Sequence, residues 1–190
     1  RRDADGSSSA NMLTFKTDKD TYAPGEQIVV TFPSVKGSRA IISIENGTRV
    51  LSTTEHMCND GQTTVKLAVT PDMQPNAYLY ITLLQPHGVT KNDLPIRMYG
   101  VVPFTVTSPE SHLAPISHMA DEVKPEAPCH VMVSEKNGRE MAYTLAIVDE
   151  GLLDLTRFRT PDPWQAFNAR EALGVNTWDL YNYVVGAYGG

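Results

Sequence analysis

Gln27-Ile28-Val29-Val30-Thr31-Phe32 sets apolar side chains at positions 28, 30 and 32, with polar or smaller neighbours between and around them. Successive side chains of a strand point to opposite faces, so this spacing builds a strand with one buried face. The same period of two appears on either side, in Leu13 and Phe15 before it and in Ile42 and Ile44 after it. Further short runs at Thr63 to Val69, Tyr78 to Leu84 and Met98 to Val106 are separated by Thr70-Pro71-Asp72, Pro75-Asn76 and the loop from Gln85 to Pro95. Short strands punctuated this regularly predict an all-β sandwich of the immunoglobulin or fibronectin kind. Asn46-Gly47, between two apolar runs, predicts a hairpin with a two-residue type I′ turn. With Thr48 it also spells a glycosylation sequon, but the turn accounts for the flanking alternation and the sequon does not. Pro103 cannot donate to a central ladder and predicts an edge strand or a bulge.

Setting Pro24 on Pro125 brings Ile28, Val30 and Phe32 onto Cys129, Val131 and Val133, an offset of one sandwich. The expected fold is therefore a tandem of antiparallel β-sandwich domains with a short C-terminal helical segment. Residues 1–10 are a Ser-rich linker, 11–107 the first sandwich, and 108–190 an incomplete second one. Within the second, strands are expected over about 113–156, including 129–134 and 140–148 joined across Asn137-Gly138. A helical segment is expected over about 162–185, opened by Asp162-Pro163 as cap and first-turn residue and interrupted by Gly174. Arg1-Arg2-Asp3 at one end and Gly189-Gly190 at the other read as the limits of an excised piece of a longer protein.

Composition narrows the function. Apolar residues at 41% and charged residues at 20% support a packed core and argue against a disordered chain. Scattered basic residues and a net charge of −6 leave no footprint for nucleic acid, and no apolar run is long enough for direct membrane insertion. Cys58 and Cys129 are expected to be unbonded, Cys129 because it shares parity with Val131 and Val133 on an inward strand face.

The chain offers few candidates for chemistry. His56, Cys58 and Asp60 alternate as metal-ligand types would on one strand face, yet no second pair at ligand spacing accompanies them. Asp3 and Asp5 before Gly6 open like a calcium loop but lack its later acidic ligands. Asp149 and Glu150 are adjacent carboxylates, which a strand would point to opposite faces, so they are expected to form a polar turn with Gly151. Trp164, Phe167 and Trp178 could form an aromatic platform, but their spacing is that of the buried stripe of a packing helix. No nucleophile elbow or phosphate loop is present. The expectation is a chain with no catalytic, metal or cofactor site.

Two segments are distinctive when read whole: Asp20-Thr21-Tyr22-Ala23-Pro24-Gly25-Glu26, and Tyr143 to Thr156 with its core Val148-Asp149-Glu150-Gly151-Leu152-Leu153-Asp154-Leu155-Thr156, followed by Pro161-Asp162-Pro163-Trp164. Together they resemble the α2-macroglobulin family, particularly its bacterial branch. The resemblance implies a macroglobulin domain followed by the part of the bait-region domain that precedes the bait. It also implies a parent that traps target proteases, with neighbouring macroglobulin domains of the same chain as partners. An extracytoplasmic location, in a bacterial periplasm or cell envelope, goes with it. The Cys-x-Glu-Gln thioester of many members is missing, since Cys58 precedes Asn59-Asp60-Gly61 and Cys129 precedes His130-Val131-Met132. A structural or adhesive module of tandem immunoglobulin-like domains is the alternative; it leaves the Val148 to Thr156 run unexplained.

Overall fold

A computed structural model describes residues 12–86 and 97–175. The linker over 1–10, the Asp3-Asp5-Gly6 segment, Trp178 and the helical turns expected after Thr177 lie outside the described residues. The chain divides into two compact units, one of Arg1–Thr107 with Asn168–Gly190 and one of Ser108–Phe167.

The first unit is a β-sandwich. Its strands are β1 (Lys16–Thr17), β2 (Thr21–Tyr22), β3 (Gln27–Ser34), β4 (Arg39–Glu45), β5 (Val50–Met57), β6 (Gly61–Ala68), β7 (Asn76–Leu84) and β8 (Arg97–Val106). They form a three-stranded sheet, β1-β3-β6, and a five-stranded sheet, β2-β8-β7-β4-β5. The period of two decides what is buried. Ile28, Val30 and Phe32 on β3 pair in register with Leu67, Val65 and Thr63 on β6. Ala40, Ile42 and Ile44 on β4 lie opposite Leu83, Ile81 and Leu79 on β7. All of these apolar residues, with Ala77, Phe104 and Val106, belong to one buried cluster. Pro103 lies on β8, which among the described residues is met on its outer side by the two-residue β2 and an isolated bridge from Met12 to Tyr99. β8 is thus not the edge strand its proline predicts, since β2 lies outside it, but β2 pairs with Thr105 and Val106 and not with Pro103.

Two turns show how short motifs set the frame. In Ala23-Pro24-Gly25-Glu26 the Glu26 N–H donates to the Ala23 carbonyl, and Gly25 has φ +90°, the geometry of a type II turn. The Glu26 carboxylate accepts from the Ala23 N–H, and the buried Tyr22 hydroxyl donates to Asp18 at 2.7 Å. The same Asp18 oxygen accepts from the Val29 N–H, which ties the β1–β2 segment to β3. Burial and the Asp18 carboxylate together push the Tyr22 phenol up to about 12. The β4–β5 hairpin is present, but its turn is not type I′. Asn46 N–H donates to the Arg49 carbonyl, closing a longer loop, and Gly47 is not among the positive-φ glycines. The Asn46 side-chain oxygen accepts from the Thr48 N–H, the Thr48 hydroxyl and the Arg49 N–H, so the asparagine side chain takes over the turn.

The second unit corrects the strand assignments over 113–156. Its paired strands are β9 (Pro115–His118) and β10 (Met132–Glu135), antiparallel, with Glu135 opposite Pro115. Residues 140–149 form no strand, and the stretch expected to continue one is the helix α1 (Glu150–Thr156). A strand needs a neighbour to satisfy its backbone, and Tyr143, Leu145 and Ile147 keep their alternation while standing exposed, without a paired strand among the described residues. Gly138 does take a positive φ of +73°, but the Asn137-Gly138 turn leads out of β10 rather than into a partner strand. The second helix, α2 (Pro163–Phe167), starts as expected, with the Asp162 carboxylate accepting from the Gln165 N–H, and ends well before Gly174.

Candidate functional site

The candidate residues do not assemble into a reactive centre. His56, on β5, contacts the Thr54 hydroxyl at 3.1 Å, while the Asp60 carboxylate accepts a long bond from the Lys36 N–H. The Cys58 thiol is buried between them, and burial pushes its pKa up, which disfavours the thiolate a metal requires. Among the described residues no group of three His, Cys, Asp or Glu side chains is placed to hold a metal ion. Both cysteines are free; Cys58 is buried, while Cys129, expected on an inward strand face, is exposed. The parity argument holds only within β10, where Val133 is half-buried and Glu135 buried; Cys129 lies ahead of that strand, which begins at Met132.

Asp149 and Glu150 sit at the start of α1. The Asp149 carboxylate accepts from the Gly151 N–H at 2.9 Å, a helix cap, and Glu150 is the first residue of the helix. Their adjacency is thus explained by capping instead of by the polar turn that was expected. The aromatic stripe is also corrected: Phe167 is 85% exposed, and Trp164 is held within its own unit by an indole N–H bond to the Ser111 hydroxyl and by the His112 ring at 4.7 Å.

The group that sequence reasoning missed is Glu135. Its buried carboxylate accepts from the N–H groups of Ala114, Asn137 and Arg139 and forms an ion pair with Arg139 at 2.9 Å. Arg139 in turn donates to the carbonyls of Glu110 and His112. The i,i+4 spacing of Glu135 and Arg139 across Asn137-Gly138 was the available signal. The Arg139 side-chain bond, followed by the backbone donors, lowers the Glu135 pKa from 4.5 to about 2. A carboxylate whose folded pKa lies below its unfolded one contributes stability that is complete above the unfolded value and lost as pH falls towards the folded one. Acidification from pH 4.5 to about 2 should therefore free the 110–112 segment. With Trp178→Phe leaving Trp164 as reporter, acrylamide quenching should rise across that window. Glu135→Gln should show the raised quenching already at neutral pH, and a signal flat down to pH 2 in the parent chain would refute the account.

Three comparisons bear on this arrangement. A family model described as the alpha-2-macroglobulin bait region domain matches residues 13–155. The chain is 25% identical over 194 residues to an alpha-2-macroglobulin of Escherichia coli (strain K12), covering 98% of this chain and 12% of that protein. It is 26% identical over 177 residues to one from Xylella fastidiosa (strain Temecula1 / ATCC 700964), covering 91% of this chain and 11% of that one. The fold is similar to that of native E. coli alpha-2-macroglobulin seen by cryo-EM, with a TM-score of 0.51 at 22% identity over 90% of this chain and 11% of the other.

Proposed function

We propose, from the premise that this chain belongs to the α2-macroglobulin family, that it serves as non-catalytic scaffold ahead of the bait segment in a broad-spectrum protease-trapping inhibitor. The observation that carries the reading is the extent of the family match, which runs from the first core residue of the sandwich, Leu13, to Leu155 in α1. In this reading residues 11–107 are one macroglobulin-like sandwich and 108–190 the opening part of the domain that carries the bait. The attacking protease supplies the catalytic groups. The chain supplies a stiff frame, and its partners are the protease, through the whole parent protein, and the neighbouring macroglobulin domains. Nucleic acid has no part in it, and the location is extracytoplasmic. No helix among the described residues is long and apolar enough to cross a membrane.

The Asp149 carboxylate is engaged in capping α1, where it accepts from the Gly151 N–H, a structural role that supports a scaffold reading. The test compares the chain with its full-length parent as inhibitors of trypsin acting on a large protein substrate. The parent is expected to protect the substrate in proportion to dose and the 190-residue chain to give no protection. Asp149→Asn and Glu150→Gln in the parent should leave the rate of bait cleavage unchanged. Protection by the isolated chain, or a hydrolytic activity lost in the carboxylate variants, would overturn the proposal.

A further inference from the structure

After α2 the chain rejoins the first unit at Asn168, and a short stretch of it is held there by its backbone. The Glu171 N–H donates to the Asn76 side-chain oxygen at 2.7 Å, and the Glu171 carbonyl accepts from the Asn76 amide at 3.0 Å and from the Tyr78 hydroxyl at 2.9 Å. Asn76 is 2% exposed, so the amide that grips Glu171 is itself fixed in place. Further on, Gly174 passes so close to the Gly47 carbonyl that a side chain at 174 would collide with it. A side chain at Gly47 would in turn meet the Glu171 carboxylate and the Ala172 carbonyl. The stretch from Glu171 to Gly174 is therefore pinned at both ends, although its residues stand exposed.

The residue before this stretch is Arg170, which is exposed and is the last Lys or Arg of the sequence. Its side chain suits a protease that carries a carboxylate at the base of its specificity pocket. The backbone that follows does not. In such a cleavage the protease nucleophile attacks the Arg170 carbonyl carbon and the bond from that carbon to the Glu171 nitrogen breaks. The nitrogen leaves with a proton from the protease's general acid, and water then releases Arg170 as a carboxylate. The leaving nitrogen is the one whose N–H is bonded to Asn76, and the carbonyl of the same residue is bonded to Asn76 and Tyr78. A protease must take up the backbone on both sides of the bond it cuts, and here one side is already taken.

We propose that the bond between Arg170 and Glu171 is a masked cleavage site for arginine-specific proteases, closed while the anchor holds and cut only when it lets go. Its cleavage rate then follows the local opening of the pinned stretch and not the exposure of the arginine side chain. The bond between Arg157 and Phe158, just past α1, is the contrast: both residues are exposed, and among the described residues no side chain grips the Phe158 backbone. The inference rests on the anchor alone and not on the proposed function.

The test adds a small amount of trypsin to the whole chain and follows the first cuts by intact-mass spectrometry. In the unsubstituted chain the bond after Arg157 should be cut at least about tenfold faster than the bond after Arg170. Asn76→Ala combined with Tyr78→Phe removes all three anchoring bonds and should raise the rate after Arg170 by roughly tenfold or more, leaving the rate after Arg157 unchanged. Should that variant fail to fold, Gly174→Ala displaces the stretch from the Gly47 carbonyl with no substitution in the sandwich core, and should raise the rate after Arg170 several-fold. Cleavage after Arg170 as fast as after Arg157 in the unsubstituted chain overturns the proposal, and so does a rate after Arg170 that neither variant moves. An equal rise at the two bonds in Gly174→Ala also overturns it, because the fold as a whole has then loosened. No inhibition of trypsin is read here, so failure leaves the proposed function standing, and the reverse holds.

Discussion

Val30→Asp should abolish cooperative folding of the sandwich. Val30 is 0% exposed, pairs with Val65 and belongs to the buried apolar cluster. Burying an unpaired polar or charged group costs several kcal/mol, against a total stability of about 5–15 for a domain. Thr31→Asp, one residue along, is the control. Its side chain points away from the core and stands opposite Lys16 on β1, so the change should shift stability by about 1 kcal/mol or less. Thermal melts of the two variants read the contrast directly. A cooperative melt for Val30→Asp near that of the parent chain would show that β3 does not face the core as described.

Phe104→Ala should be the next most damaging change. The ring is 2% exposed and meets the Tyr22 ring edge-on at 5.9 Å, joining β8 to the short β2 that closes its outer side. Removing a buried phenylalanine loses its transfer free energy and leaves a cavity, together about 3–5 kcal/mol. Tyr22→Phe keeps the ring contact and removes the hydroxyl's two bonds, one donated to Asp18 and one accepted from the Lys19 N–H, and should cost about 1–3 kcal/mol. Urea denaturation should separate the two variants by midpoint with little change in slope. A loss below that of Tyr22→Phe would mean that the aromatic pair is not what holds β2 against β8.

The contrast between the two units explains what the residues disclosed and what they withheld. In the sandwich, each apolar face belongs to a strand with a full-length partner, β6 in the case of β3, so the alternation at Ile28, Val30 and Phe32 translated directly into burial. In the second unit the alternation of Tyr143, Leu145 and Ile147 is equally regular, yet it yields no strand, because periodicity specifies a face and not the partner that pairs with it. The β4–β5 turn failed on a narrower point. Asn46-Gly47 correctly marked the reversal, but the asparagine side chain satisfied the turn's N–H groups itself and removed the need for a positive φ at Gly47. The spacing of Glu135 and Arg139 could have flagged their ion pair, but the backbone donors from Ala114, Asn137 and Arg139 that bury the carboxylate follow no spacing rule. The pair Asp149-Glu150 was legible as non-catalytic, though through an assumed turn rather than the helix cap that the structure displays.

Glu171 is anchored to β7, its N–H donating to the Asn76 side-chain oxygen and its carbonyl accepting from the Asn76 amide and the Tyr78 hydroxyl, and this anchor has a mechanical meaning. The second unit lies between Thr107, which continues directly from β8, and Asn168, three residues before the anchor, so it occupies a loop whose two ends are tied to the same sandwich. A pull applied to the chain beyond Glu171 is met first by the Asn76 and Tyr78 bonds and passes through them into β7, in the interior of a five-stranded sheet. The weakly built hairpin and helices of the second unit carry none of that tension until those bonds shear, so the order of rupture under load is fixed by three hydrogen bonds to one peptide unit and its neighbour.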